Sequence, residues 1–448
     1  HVQGLRTHFP DFEWTPMVEA ALATAQLDFD HAVELYREAL ERMPNFGPVK
    51  NRLERLGSQL AMEREWHAPV DMQEWPAQPR DGRPDFRSAA PEDRVLVVSW
   101  DIGHNVVGRG ITMAETICDA RPTALAGPYF PMYGDGLWPP LADSLRQVPI
   151  FGWHAPYFRQ LLEGALRMVR DWPVGTVWVS KPRFPGLLIG LLYREIHGAT
   201  LLCDIDDDEL AFVKGKAPRS LEAFVKALAP QEWTRSQGHD WTELGMDILS
   251  SVDGLTACNP ALCETFDATL VRHGRNGTDA RTAIAARPDT RAEFGFADDD
   301  RVVLFLGTPR RHKGLLDLAR AVIALDRPEV VLCIAGSVVD PAMEKELAEM
   351  PGLRLKRLPA QPFARVLDLN AMADVVVLLQ DPDSAISQSQ TPAKLTDAVA
   401  VGSTVLITDV PPVADVITAG AALPIRRDDT LADRLAEALD GRAEGETP

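Results

Sequence analysis

Residues 373–409 begin Ala373-Asp374-Val375-Val376-Val377-Leu378-Leu379 and pass through a polar loop, Gln380-Asp381-Pro382-Asp383-Ser384-Ala385-Ile386-Ser387-Gln388-Ser389-Gln390. They continue as Thr391-Pro392-Ala393-Lys394-Leu395-Thr396-Asp397-Ala398-Val399-Ala400-Val401-Gly402 and close on Ser403-Thr404-Val405-Leu406-Ile407-Thr408-Asp409. The run Val375–Leu379 is short and wholly apolar, the pattern of a strand buried on both faces. The stretch from Thr391 to Ala400 predicts a helix, with Thr391 as its N-cap, Pro392 at the first helical position and Gly402 as its stop. Val405–Ile407 predicts the next strand. A strand, a loop of small residues and a helix start together leave free amide N–H groups at the positive end of a helix dipole, which suits a phosphate. Ser387, Ser389, Gln390, Thr391 and Lys394 line that position. Asp397, on the second helical turn, is placed to reach hydroxyls on whatever carries the phosphate.

Working outward, the chain alternates apolar runs with helical stretches from Arg94 onward. A first series of expected strands comprises Val95–Ser99, Thr123–Ala126, Thr176–Ser180, Thr200–Asp204, Leu255–Ala257 and Thr269–Arg272. A second comprises Val302–Leu306, Val330–Ala335, Leu353–Arg357, Val375–Leu379, Thr404–Ile407 and Ala421–Pro424. Two such series imply an α/β chain with two doubly wound parallel sheets, and ligands in such sheets bind beyond the carboxyl ends of the strands. The expected division is a helical leader over 1–70, a proline-rich linker over 71–93, a first sheet domain over 94–285 and a second over 286–448.

A second phosphate candidate follows the first strand of the second series: Gly307-Thr308-Pro309-Arg310-Arg311-His312-Lys313-Gly314. Glycine permits a tight backbone path there, and the cations can donate to a diphosphate. The plain alternative is a solvated basic turn.

Pro392 to Gly402, the strand after it and Thr408-Asp409-Val410-Pro411 resemble the donor-binding signature of GT-B glycosyltransferases. The narrower resemblance is to the large retaining group of bacterial polysaccharide and lipopolysaccharide enzymes called family four. In that family two glutamates flank this helix start. Asp397 stands in place of the second, which contacts the nucleotide ribose, and Ser389 stands in place of the first. Lys313 keeps the family's lysine, whereas Thr308 replaces its arginine, so Arg310 is the candidate for the missing cation, with Arg311 next. The resemblance covers roughly residues 94–440. It implies a GT-B fold and transfer of a sugar from a nucleotide sugar to a glycan, a lipid-linked precursor or a protein, with retained configuration. The nucleotide sugar is then a co-substrate, and no cofactor or metal is implied. On this reading Lys313, Arg310, Asp206 and Asp207 carry the chemistry. Gly307, Gly314, Ser387, Ser389, Gln390, Thr391, Lys394 and Asp397 hold the donor, together with Gly103, His104, Gly108 and Arg109.

The last four come from Gly103-His104-Asn105-Val106-Val107-Gly108-Arg109-Gly110, directly after the first strand of the first series. Its glycines lack the spacing of the dinucleotide fingerprint, which removes support for a dehydrogenase. An ordinary strand-to-helix turn is the plain reading. Asp204-Ile205-Asp206-Asp207-Asp208-Glu209 follows another strand, and its acids could ligate Mg²⁺ or Ca²⁺, contact hydroxyls, or form a solvated loop. Lys181-Pro182-Arg183 sits at a third strand end, as an anionic-acceptor site or a surface loop. His273-Gly274-Arg275-Asn276 reads as hinge more than site.

The 448 residues, 46% hydrophobic and 25% charged, are ordinary for a globular chain. A net charge of −19 excludes nucleic acid or an anionic membrane as a broad electrostatic partner. No apolar run is long enough to span a bilayer. Five scattered cysteines read as free thiols in a reducing compartment, hence a cytoplasmic protein, with room for peripheral contact with the inner membrane face. In the leader, Ala32, Tyr36, Ala39 and Pro44 have the offsets of the second helix of a tetratricopeptide repeat, in fewer copies than a free-standing array needs. Residues 1–70 are therefore either a structural cap or a docking module for a protein partner. A catalytically weak GT-B-like scaffold and a sugar-nucleotide epimerase are the other readings.

Overall fold

The computed structural model describes residues 5–8, 12–26, 28–78, 82–132, 134–142, 146–212, 238–309, 313–337, 340–384, 386–428 and 430–441. Helices Thr15–Ala25, Phe29–Arg42 and Gly47–His67 form the leader, and Asp28 caps the second by accepting from the His31 N–H at 3.3 Å. Ala20, Ala23, Ala32 and Ala39 are buried with Tyr36, Val49 and Leu56 in a core of their own. Small residues at the crossing let the helices approach closely.

The first sheet contains β1 (Met72–Trp75), β2 (Val95–Ser99), β3 (Thr123–Tyr129), β4 (Ile150–His154), β5 (Thr176–Ser180), β6 (Thr200–Ile205), β7 (Gly254–Ala257) and β8 (Thr269–Leu270). Its order is β1-β4-β3-β2-β5-β6-β7-β8, parallel throughout except for β1, which runs antiparallel to β4. The second sheet contains β9 (Arg301–Leu306), β10 (Val330–Ala335), β11 (Leu355–Leu358), β12 (Val375–Leu378), β13 (Thr404–Thr408) and β14 (Leu423–Ile425). It is wholly parallel, ordered β11-β10-β9-β12-β13-β14.

Every residue of β2, β3, β10 and β12 is buried, because helices cover both faces of each sheet. Val303, Leu332 and Val377 point into one core of the second lobe, and Val302, Cys333 and Val376 into the other. Helices Gly277–Ala285 and Arg287–Glu293 lead from the first sheet into the second lobe, where Ala280 and Ala283 pack against Leu367 and Ala371.

In both sheets the strand order reverses at one place, between β2 and β5 in the first and between β9 and β12 in the second. Crossovers to either side of such a point leave a crevice at the carboxyl ends of the strands. The described segments opening there are 100–106, 181–183, 307–309 with 313–314, and 379–384 with 386–392, each within or beside a stretch nominated from sequence.

Two expectations are corrected. The proline-rich 71–93 stretch is not only a linker, because Met72–Trp75 within it pairs antiparallel with Ile150–Trp153 as an edge strand. Strand β4, absent from the expected series, is the strand it pairs with.

Candidate functional site

The second-lobe loops are shaped by backbone approach. Gly307 ends β9 with φ +121°, and Gly336 ends β10 with φ +154°, a region that L side chains rarely adopt. A Cβ on Gly336 would collide with the Gly307 carbonyl oxygen. A Cβ on Gly307 would lie 2.5 Å from Cε and 2.6 Å from Nζ of Lys394. The first phosphate candidate thus meets the second: the Lys394 ammonium rests against the bare backbone at the end of β9. Lys394 makes no ion pair among the described residues, and burial pushes its ammonium below the usual 10.5, with Asp397 opposing. Lys313 Nζ donates to the Thr308 carbonyl at 3.2 Å, which keeps it over the same loop. Gly314 immediately precedes the Leu315–Ala324 helix. Arg310 and Arg311 lie outside the described residues.

The helix after β12 begins at Ala393, with Pro392 in extended conformation (φ −62°, ψ 121°) and no side chain capping it. Thr391 is therefore not the N-cap: a residue before proline is pushed to extended geometry, and its Oγ1 donates to the Pro412 carbonyl at 3.2 Å. The consequence favours a ligand, since the first turn offers its amides with no side chain in the way. Ser387 is buried, and Ser389 Oγ donates weakly to the Ile386 carbonyl. Asp397 is buried, with Oδ1 accepting from Arg275 Nε at 2.6 Å.

Across the crevice, Asp101 is fully buried; its Oδ1 accepts from the Gly103 N–H at 2.7 Å and its Oδ2 lies 3.5 Å from His104 Nε2. Burial pushes its carboxyl up to about 8. His104 is half-buried, edge-on to Trp100, with Nδ1 3.1 Å from Asn105 Oδ1. Burial, with Lys181 and Arg183 nearby, keeps its ring neutral below the usual range. The Gly108 N–H donates to the Asn105 carbonyl at 3.1 Å, and beside the glycine is open space. Arg109, expected to face the donor, instead turns inward: Nε and Nη2 donate to Asp204 at 2.7 and 2.8 Å, and Nη2 also to the Val271 carbonyl. The physical reason is Asp204, which has no exposed surface at the end of β6 and needs a counter-charge.

The acidic run and the Lys181–Arg183 loop, read separately from sequence, are one structure. Lys181, in the left-handed region at φ +71°, places Nζ 2.8 Å from Asp206 Oδ1, 2.6 Å from Asp207 Oδ2 and 3.4 Å from Glu209 Oε1. Arg183 donates to Glu209 at 2.6 Å and to Thr242. Oxygens of Asp206, Asp207 and Glu209 all lie within 4.8 Å of one another, and the cation among them is the lysine ammonium. Burial raises Asp207 to about 6, against the pull of Lys181, whereas Lys181 holds Asp206 below the usual range. The Lys181–Arg183 loop is thus consumed internally rather than offered to an anionic acceptor.

The same acids reach the other lobe. Gln390 Nε2 donates to Asp207 Oδ1 at 2.7 Å, and Asn259 Nδ2 donates to the Ser389 carbonyl at 2.9 Å. The 386–391 loop is therefore bonded to the first lobe at two points. Sequence reasoning does not single out Asn259 as a site residue, places Arg275 in a hinge, and reads Lys181 and Arg183 as an anionic-acceptor site or a surface loop rather than as partners of the acids. The readable signal was the matching charge of Lys181-Pro182-Arg183 and Asp206-Asp207-Asp208-Glu209 at two strand ends. A cavity of about 380 Å³ lies on the hinge side, lined by Arg83, Glu115, Arg146, Arg275 and Phe363.

Residues 286–447 match the family model described as glycosyl transferases group 1. No curated protein sequence matches the chain. Among solved structures, HepE of Anabaena in complex with UDP-glucose superposes with a TM-score of 0.53 at 14% identity, covering 78% of this chain and 90% of that one. The catalytic domain of starch synthase IV from Arabidopsis thaliana, bound to ADP and acarbose, gives 0.52 at 10% identity, covering 79% and 92%. Sucrose-phosphate synthase from Thermosynechococcus elongatus gives 0.50 at 15%, covering 79% and 90%. Likeness at such identities establishes architecture: the chain has the two-lobed GT-B fold, and its second lobe matches the glycosyl transferases group 1 family.

Proposed function

We propose that the protein transfers a sugar from a nucleoside diphosphate donor to a glycan, lipid-linked or protein acceptor, with retained configuration at the anomeric carbon. One observation carries this reading: at the reversal point of the second sheet, an uncapped helix start, the bare backbone of Gly307 and two lysines, Lys313 and Lys394, come together. As the glycosidic bond to the diphosphate breaks and the acceptor oxygen bonds to the anomeric carbon, negative charge grows on the phosphate oxygens. Fixed amide dipoles and ammonium groups stabilise charge at the place where it develops, without reorganising. Asp397 would accept from the ribose hydroxyls. The Asp207–Gln390 and Asn259–Ser389 bonds hold the donor loop against the first lobe, which limits water near the reacting bond. The family match and the architecture shared with HepE, solved with UDP-glucose, support the same reading.

No helix among the described residues is long and apolar enough to cross a membrane. A lipid-linked acceptor would therefore be met at the membrane surface. The scaffold reading draws on Ser389 and Thr308, which stand where the resembling family has a glutamate and an arginine. A screen of UDP-, GDP-, ADP- and dTDP-sugars, read as transfer and as donor hydrolysis, separates the two. Lys313→Ala should lower turnover at least about 100-fold by removing a charge-assisted contact made to the leaving group. An unchanged rate removes Lys313 from the site, and binding without turnover for every donor favours the scaffold.

A further inference from the structure

Asn259 serves both lobes with one side chain. Its Oδ1 accepts from the Leu262 N–H at 2.9 Å and caps the Pro260–Phe266 helix of the first lobe. Its Nδ2 donates to the Ser389 carbonyl of the second lobe, also at 2.9 Å, and the residue has no exposed surface. The other acceptor beside Nδ2 is the Cys258 sulfur at 3.5 Å, a weak one. Serine or aspartate would cap the helix as well, whereas an amide adds a donor while its oxygen is occupied. A buried amide N–H without a good acceptor costs free energy, so Asn259 is satisfied only while the second lobe supplies the carbonyl.

The carbonyl it holds belongs to a compact turn. The Ser389 and Gln390 N–H groups both donate to the Ile386 carbonyl, at 3.2 and 2.9 Å. Gln390 then reaches Asp207, and Thr391 reaches the Pro412 carbonyl. The Pro260–Phe266 helix packs against the same Pro411–Val413 turn, so the contact between lobes is continuous there. Ser389 enters through its main chain: among the described residues its Oγ meets only the Ile386 carbonyl, at 3.4 Å. The helix that starts at Ala393 follows directly, with its first amides uncapped. The first lobe therefore holds the peptide that leads into those amides.

We propose that Asn259 is a positioning residue that ties the shape of the 386–391 loop to closure of the two lobes. This rests on the reading of that loop and the helix start after it as the nucleoside diphosphate site. With the lobes apart, Nδ2 and the Ser389 carbonyl lose each other, the turn loosens and the amides lose their arrangement around the diphosphate. With the lobes together, the loop is ordered before the ligand arrives, so less conformational entropy is lost on binding. Were Asn259 only a cap, its loss would fray residues 260–266 and leave 386–391 as they are.

The test is hydrogen–deuterium exchange of the full chain without ligand, followed peptide by peptide. Asn259→Ser keeps a capping oxygen but is too short to reach the Ser389 carbonyl. Exchange across 386–391 should quicken about 2- to 10-fold, as expected for one lost hydrogen bond, with 260–266 unchanged. Asn259→Ala removes cap and bond together and should quicken both segments. Asn259→Asp keeps the shape and the cap without the donor; it should repeat the loop-only change and serves if the serine variant does not fold. Titration calorimetry with UDP, GDP, ADP and dTDP should show the tightest binder weakened about 3- to 10-fold by Asn259→Ser. A serine variant whose 386–391 amides exchange like the wild type overturns the inference, as does quickening confined to 260–266. So does a loop that quickens while nucleotide affinity stays the same. A wild type that binds none of the four nucleotides overturns the nucleotide reading itself, a distinguishable outcome, because the exchange result still decides whether Asn259 holds the loop.

Discussion

Replacing Lys394 by methionine separates binding from stability in a way few surface lysines would. Its ammonium lies against the Gly307 backbone, makes no ion pair among the described residues and is held below the usual lysine value by burial. A shielded, unpaired charge costs the ligand-free protein free energy, on the order of 1 kcal/mol for a half-buried site. Methionine keeps the length and apolar stem, so Lys394→Met should stabilise the ligand-free chain, by about 2–4 °C in the melting of its second lobe. A charge-assisted bond to phosphate contributes about 1.5–3 kcal/mol, so the same change should weaken nucleoside diphosphate binding about 10- to 150-fold. The pH dependence has a definite sign. The folded pKa lies below the unfolded value of 10.5, so between the two the unfolded chain holds more protons. Wild-type stability should therefore rise with pH through that window, while diphosphate affinity falls as the ammonium is lost. Differential scanning calorimetry with and without nucleotide, plus titration calorimetry, reads both effects. A methionine variant that melts lower and binds equally well would refute the reasoning.

Other consequences follow from the buried charges. Asp101 keeps its proton to about 8 in the folded chain against 3.8 unfolded, so its contribution is fully present below pH 4 and is lost as pH rises toward 8. Asp101→Asn should flatten that decline and raise stability at pH 8 by about 1–3 kcal/mol, measured by urea unfolding across pH. Lys181→Met strips the shared cation from Asp206, Asp207 and Glu209 and should cost about 3–5 kcal/mol at neutral pH, with less loss near pH 4. Gly336→Ala drives a Cβ into the Gly307 carbonyl and forces a left-handed conformation on alanine. It should lower stability by about 1–3 kcal/mol and also abolish diphosphate binding, because the two glycine loops must move apart; intact binding would place the ligand elsewhere.

The parallel strands were legible because each is buried on both faces and so reads as a continuous apolar run. Val95–Ser99, Thr176–Ser180 and Val330–Ala335 fall where the runs placed them. Strands β1 and β4 were not legible. Met72-Gln73-Glu74-Trp75 is a partly exposed edge without an apolar run, and Gly152 interrupts β4, where its missing side chain makes room for Ile102 and Trp75. The loops of the candidate site could be nominated because small residues, glycines and cations cluster after strands. Their pairings could not. Arg109 meets Asp204 95 positions away, Arg275 meets Asp397 at 122 and Gln390 meets Asp207 at 183. Separations of that size carry no local signal, so whether a charged residue faces the crevice or its own neighbour is decided by the fold. Arg109 and the Lys181–Arg183 loop were read outward for that reason and lie inward.

The most direct measurement is a crystal structure of the chain with the nucleoside diphosphate it binds most tightly. The expected result is a phosphate about 3 Å from the amides of Ala393 and Lys394 and from the ammonium of Lys313 or Lys394. A diphosphate seated in the hinge cavity beside Arg83 and Arg146, with the Gly307 loop and the Ala393 helix start unoccupied, would contradict it.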